Sequence, residues 1–92
     1  METIIKEKWD EILDLLESEF DVSRIVIDTW IRTLSIYAVE DNVIYFYVDE
    51  KRGMHGVEYL QKKGYDDFLL ASIRHVLGNS DIEIVIKEKS SY

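Results

Sequence analysis

The chain has 92 residues, 47% of them hydrophobic and 33% charged, which fits one small globular domain and excludes a disordered tail. Its 19 acidic and 11 basic side chains give a formal net charge of -8, which disfavours unassisted binding to nucleic acid. It has no cysteine, no signal-peptide pattern and no apolar run long enough to span a membrane, so we expect a soluble, cytoplasmic protein.

The N-terminal third of the chain carries two helical patterns. Apolar residues recur at steps of three or four from Ile5 to Phe20, and acidic residues fill the opposite face, which predicts an amphipathic helix. Ser23 is a suitable N-cap for a second helix, whose apolar positions run from Ile27 to Leu34. The short connection between them predicts an αα-hairpin.

Two alternating segments follow, at 35–39 and 43–48, separated by a polar turn, and they predict a β-hairpin. Strict alternation places Tyr37 and Val39 on one face of the first strand, with Ile36 and Ala38 on the other. Tyr37 and Val39 therefore define one face of the predicted hairpin, and alternate residues of the second strand extend that face.

Three tyrosines, Tyr37, Tyr45 and Tyr47, are expected to share this face of the hairpin, because side chains two residues apart point the same way. If helices cover only the opposite face, the three rings form an exposed platform. Such a platform suits the docking of a protein partner or the stacking of bases. An ordinary solvated sheet face, or one packed under the third helix, is the alternative.

A third helical pattern covers 57–77, and Gly64 is expected to kink or split it because glycine destabilises a helix interior. Gly78 stands where a left-handed C-terminal cap belongs. The alternating isoleucines of Ile82–Ile86 predict a last strand, and a polar tail begins at about Lys87. The order α-α-β-β-α-β predicts one compact α+β domain over residues 1–92, with a three-stranded sheet packed with three helices.

Two groups of residues give a resemblance to a known family. Trp9 followed by Ile12 and Leu13, and then the segment at 27–34 with the sequence IDTWIRTL, resemble the N-terminal domain of the bacterial replication initiator DnaA. The resemblance extends from about Trp9 to Ile86, nearly the whole chain. It implies a KH-like fold and a non-enzymatic protein-interaction module in chromosomal replication initiation or its control.

The resemblance also implies partners and a self-association site. Members of the family self-associate weakly through the first helix, and they dock the replicative helicase and regulators of initiation. Trp9 matches the family's self-association residue, and Ile5 and Ile12 lie near it on the same helix. The alternative is that Trp9 is a core residue, as its position on an amphipathic helix also allows. Trp30 follows the helical spacing and is assigned to the core.

The chain differs from the family at several positions, most of them between the second strand and the third helix. The Pro-Asn turn that the family usually has there is replaced by charged residues at 49–52, and the chain contains no proline. Leu60 stands where the family has a tryptophan, and Ile27 stands where phenylalanine is common. Part of the helicase-contact surface implied by the resemblance would lie in this divergent region.

A second function class comes from a short glycine motif. Gly53 and Gly56, preceded by Lys51 and Arg52, match the GxxG loop with which KH domains clamp a nucleic-acid backbone. The alternative function is therefore single-stranded nucleic-acid binding through this loop and the hairpin tyrosines. The motif follows a strand in an acidic chain and also arises by chance, so we favour a protein partner.

The sequence contains no constellation that predicts catalysis or metal binding. His55 and His75 are the two histidines, they lie far apart, and no cysteine accompanies them. There is no glycine-rich phosphate loop and no nucleophile elbow. We therefore expect no enzymatic activity, no cofactor and no metal.

Overall fold

A computed structural model describes residues 2–48 and 56–88 of the chain. Over these residues the chain forms the predicted α+β fold, although the KH-like description stays a prediction. The helices are α1 (Glu2–Glu7), α2 (Trp9–Phe20), α3 (Arg24–Val26), α4 (Gly56–Lys62) and α5 (Tyr65–Leu77), and the strands are β1 (Ser35–Glu40), β2 (Val43–Val48) and β3 (Glu83–Glu88).

The first predicted helix is divided at Lys8 into α1 and α2. Lys8 has φ -100° and ψ 9°, outside the helical region, yet its N–H still donates to the Ile4 carbonyl at 3.0 Å. After α2, Asp21 takes a left-handed conformation with φ 56°, and the Val22 N–H donates to the Leu16 carbonyl at 3.1 Å. This cap ends α2 and begins the predicted αα-hairpin.

The second helix begins at the predicted N-cap. The hydroxyl of Ser23 accepts a hydrogen bond from the Val26 N–H at 3.3 Å, which stabilises the first turn of α3. α3 then continues into a π-helical segment, Ile27–Ile31, in which the Arg32 N–H donates to the Ile27 carbonyl at 2.7 Å. A π-helical turn holds one residue more than an α-helical turn, a feature that apolar spacing alone does not predict.

The sheet has the order β1-β2-β3, with β2 in the centre. β1 and β2 pair antiparallel as the predicted hairpin, whereas β2 and β3 pair parallel. A parallel pair needs a long crossover connection, and α4 and α5 lie within the connection between these two strands. The sheet is therefore mixed, and its last strand comes from the C-terminal part of the chain.

A β-bulge in β1 corrects the predicted assignment of faces. The register shifts between Ile36 and Ala38, so Tyr37 is an extra residue on that strand. Ala38 consequently lies opposite Tyr45, and Val39 lies opposite the buried Ile44. The prediction that Val39 shares the face of Tyr37 was wrong, because strict alternation does not allow for a bulge.

Two glycines determine where the helices of the C-terminal half begin and end. Gly64 has φ 75° and divides the predicted third helix into α4 and α5, and Gly78 has φ 65° and caps α5. Two bonds from Arg74 join α5 to the last strand, one to the Ile82 carbonyl at 2.8 Å and one to Glu83 at 2.9 Å. β3 then continues past Ile86 to Glu88, two residues into the predicted polar tail.

The core lies between the helices and one face of the sheet. Among the described residues its buried hydrophobic members are Ile5, Ile12, Leu13, Leu16, Val22, Ile27, Ile31, Leu34, Ile44, Phe46, Val48, Leu60, Leu69, Ile73, Ile82 and Ile86. α1, α2, α4, α5 and the π-helical segment all contribute to it. Because β2 alternates between fully buried and partly buried side chains, the helices cover only one face of the central strand.

One polar side chain among the described residues lies in this core. The hydroxyl of Ser72, on α5, is buried and has no hydrogen-bond partner among the residues that the structure describes. An unsatisfied buried hydroxyl costs about 1–3 kcal/mol. We expect Ser72→Ala to raise the free energy of unfolding by about 1 kcal/mol, measured by urea denaturation.

The matched control is Ser18→Ala, at an exposed position of α2, which changes helix propensity without changing a buried hydroxyl. The difference between the two variants isolates the effect of burial. A loss of stability in Ser72→Ala would show that its hydroxyl is hydrogen-bonded to the preceding helical turn.

Candidate protein-interaction surfaces

Trp9 lies at the start of α2, between the core and the surface. Its ring centroid is 6.0 Å from that of Phe46, at an interplanar angle of 34°, and the side chain is only partly buried. One side of the ring therefore packs on the centre of the core. Trp9 also lines an open groove of about 360 Å³, with Ile5, Lys6, Arg32, Leu34, Ser35, Ile36 and Phe46.

Ion pairs fix one wall of this groove, which we call the Trp9 groove. Arg32 donates to Asp28 at 3.1 Å and to Asp10 on α2 at 3.4 Å. The hydrogen bonds to Asp28 and then to Asp10 raise the pKa of Arg32 above its usual value. A charged guanidinium is thus held beside Trp9 across the junction of the two helices.

The other two residues predicted for self-association are core residues, although Ile5 also lines the Trp9 groove. Ile5 and Ile12 are fully buried in the core, so within a single chain their side chains offer no surface to a second copy. Trp9 has such a surface, and its role in self-association stays a prediction. Sequence reasoning missed Ile4 and Ile25, which are 48% and 78% exposed. Ile4 is followed directly by the buried Ile5, and Ile25 is followed two residues later by the buried Ile27. Residues this close on a helix cannot share one face, which is the signal that could have found them.

The three hairpin tyrosines lie together, as predicted. The ring of Tyr37 is 5.7 Å from that of Tyr45 and 6.0 Å from that of Tyr47, and all three are partly buried. They lie on the sheet face opposite Ile44 and Phe46, which face the helices. This face of the sheet, which the described helices leave open, is called the tyrosine face below.

Cross-strand pairs define the rest of the tyrosine face. Tyr45 lies between Ala38 and Val85. The next pair along β2 lies toward the hairpin turn, where Val43 is flanked by the exposed carboxylates of Glu40 and Glu83. The face is therefore aromatic and aliphatic in its centre and acidic at one end.

Trp30 packs against the core, as predicted, but it is only partly buried. Its ring stacks on Tyr59 of α4 at a centroid distance of 4.6 Å and an angle of 27°, and Tyr59 lies 6.1 Å from Tyr65. The sequence did not predict this row, because its three members come from separate elements. The row joins the second helix to the C-terminal helices, a structural role.

Most of the predicted nucleic-acid loop lies outside the described residues. The residues of this loop that lie outside are Lys51, Arg52 and Gly53, whereas Gly56 is the first residue of α4. Within residues 2–48 and 56–88, no group of three or more histidine or acidic side chains could hold a metal ion. In the same ranges, no helix has the length and apolar character that a membrane crossing requires.

Sequence comparison identifies a relative of the chain. It is 40% identical over 85 residues to the chromosomal replication initiator protein DnaA of Lachnoclostridium phytofermentans, a match that covers 91% of this chain and 18% of that protein. No protein-family model matches the chain, and no solved structure matches it. The chain thus spans less than a fifth of the relative's length, which is consistent with its N-terminal domain. The predicted resemblance is confirmed: over nearly all of its length this chain is similar to a domain-sized segment of DnaA.

Proposed function

We propose that this chain is a non-enzymatic protein-interaction module of the DnaA N-terminal type, acting in chromosomal replication initiation or its control. Its partners would be the initiator, the replicative helicase or regulators of initiation, and it would associate weakly with a second copy of itself. The sequence similarity to DnaA supports the biological setting. The observation that carries the mechanism is the partly exposed Trp9 beside an open groove.

Self-association through Trp9 follows from the shape of the groove. In a two-fold symmetric dimer the same patch of both copies meets, so the Trp9 ring of one chain would contact the Trp9 groove of the other. The groove has apolar walls from Leu34 and Ile36, and Arg32 provides a charge at its rim. One tryptophan and a few aliphatic side chains bury much less than a standard interface of about 1,600 Å², so the dimer is weak.

We expect Trp9→Ala to weaken self-association about 30-fold, because a buried tryptophan at the centre of an interface typically contributes 2 kcal/mol or more. Sedimentation equilibrium over a concentration series measures the dissociation constant. Ile25→Ala is the matched control, since Ile25 is exposed and does not line the groove. Because Trp9 contacts Phe46, the thermal unfolding of the variant is recorded alongside.

A Trp9→Ala variant that stays folded and dimerises like the wild type would contradict this role for Trp9.

The partner proposal has its own test, in which the tagged chain is mixed with purified initiator and helicase of its source organism, with and without nuclease. Binding that survives nuclease supports an adaptor. Failure to bind either protein, together with binding of a single-stranded oligonucleotide, would favour the alternative function, a KH-like single-stranded nucleic-acid binder.

The described surface gives that alternative less support. The tyrosines that would stack bases share their face with Glu40 and Glu83, and carboxylates repel a phosphate backbone. The formal net charge of -8 acts in the same direction over a longer range. A protein partner with basic side chains meets no such repulsion.

A further inference from the structure

We propose that the tyrosine face docks an amphipathic helix of a partner protein, with basic side chains of that helix lying over Glu40 and Asp41. The proposal rests on the function proposed above, that the chain is a protein-interaction module. It adds a second surface, separate from the Trp9 groove, and states the chemistry of what binds there.

The composition of the tyrosine face indicates a surface that a partner covers. The ring of Tyr37 lies 5.7 Å from that of Tyr45 and 6.0 Å from that of Tyr47, and none of the three packs against the hydrophobic core. Val85 extends the apolar area on one side of Tyr45 and Ala38 on the other. A contiguous apolar patch with a charged border is typical of an interaction site, whereas a solvated sheet face usually carries charged and hydroxyl side chains.

The dimensions of the face fit one helix. Three strands spaced about 4.8 Å apart give a surface about 10 Å wide, which is close to the 10–12 Å diameter of an α-helix. Strands of six residues each are about 20 Å long, the length of about 13 helical residues. The helix would add a third layer on the face that α1 to α5 leave open, giving the sheet a helical cover on both sides.

Charge determines the kind of helix and its direction. At the turn end of the face, Glu40 and Asp41 are exposed and form no ion pair with any described residue. Glu83 lies at the same end but already pairs with Arg74 at 2.9 Å. At the opposite end, Lys87 lies beside Tyr47 in the sheet. A partner helix with lysine or arginine at one end and apolar residues along its length is complementary to this arrangement.

The experiment uses a displayed library of helix-stabilised peptides of about 16 residues, selected on the full chain. Selection runs in parallel on Tyr45→Thr/Tyr47→Thr, which keeps strand propensity while removing both rings. We expect peptides enriched on the wild type to carry apolar residues at helical spacing and basic residues at one end. Their affinity for the tyrosine variant should be about 30-fold lower.

A second variant tests the charge separately from the rings. Glu40→Gln/Asp41→Asn removes two charges with little change in shape, and Asn tolerates the positive φ of 54° at position 41 as well as Asp does. We expect it to bind the enriched basic peptides about fivefold more weakly. Circular dichroism spectra and unfolding curves of both variants verify that the sheet is intact.

Three results would overturn the proposal. They are enrichment of peptides without basic residues, equal binding to the tyrosine variant, and binding of an oligothymidylate probe that the tyrosine substitutions abolish. Self-association of the Trp9→Ala variant, measured separately, distinguishes failure of the docking proposal from failure of the proposed function. If the selection fails while self-association through Trp9 and helicase binding persist, the tyrosine face is not a docking site and the adaptor function stands.

Discussion

Replacing Phe46 by alanine is expected to lower the free energy of unfolding by about 3–5 kcal/mol, the usual cost of removing a buried aromatic side chain. Phe46 is fully buried at the centre of β2, where Ile36 of β1 and Ile86 of β3 pair with it, and its ring also supports Trp9. Small domains are stable by only about 5–15 kcal/mol, so this loss removes a large part of the total. Urea denaturation followed by circular dichroism measures it.

Tyr47→Ala is the matched control, because Tyr47 is the next residue of the same strand and points to the other face. Its partly buried ring makes cross-strand contacts that are worth about 1 kcal/mol or less. A large difference between the two variants is the expected result. Equal losses would show that both faces of the sheet are covered in the folded chain.

Ile5→Ala is expected to lower the free energy of unfolding by about 2–5 kcal/mol, whereas Ile4→Ala changes it by less than about 1 kcal/mol. The two residues are neighbours on α1, but Ile5 is fully buried and Ile4 is 48% exposed. The pair therefore shows whether α1 is anchored in the core through one side chain. Thermal and urea unfolding of both variants provide the measurement.

This comparison also separates folding from association. If Ile5 acts in self-association, as the resemblance implied, its variant would weaken the dimer while leaving the monomer stable. Because Ile5 is buried, we expect the opposite: the monomer loses stability, and any weakening of the dimer follows from that loss. A stable Ile5→Ala monomer that no longer dimerises would contradict the packing of α1.

Rules that depend on a single residue and its neighbours predicted the ends of the helices. Ser23 offers a hydroxyl to the first turn, and Gly64 and Gly78 tolerate the positive φ that a helix break or cap requires. The hairpin and the last strand followed from alternation in the same way. These features have local causes, so the residues around each position were enough to predict them.

The features that were missed depend on more than one segment. The bulge at Tyr37 arises from the pairing of β1 with β2, and it moves Val39 to the core side without any change in the apolar pattern. Lys8, where the first helix divides, is not a residue that breaks helices by itself. Pairing with β2 also explains why β3 reaches Glu88, since backbone hydrogen bonds need no apolar side chains.

The candidate site was predicted in part for the same reason. Apolar spacing identified the stripe that holds Ile5, Trp9 and Ile12, but a stripe that faces the core leaves only its margin accessible. Trp9 lies at that margin, with its ring against Phe46 and its side chain only partly buried. The tyrosine face, in contrast, depends on which side of the sheet the helices cover. In the sequence, only the alternation of β2 indicated that side.

The parallel pairing of β2 with β3 has a consequence for the order of events during synthesis. β2 is the middle strand, so until residues 83–88 leave the ribosome one edge of its backbone has no partner. Contacts between segments this far apart in sequence form late and slowly compared with those of a helical hairpin. A nascent chain that ends before residue 83 therefore exposes an open strand edge next to Ile44 and Phe46, and we expect such truncated chains to aggregate and to be recognised by chaperones.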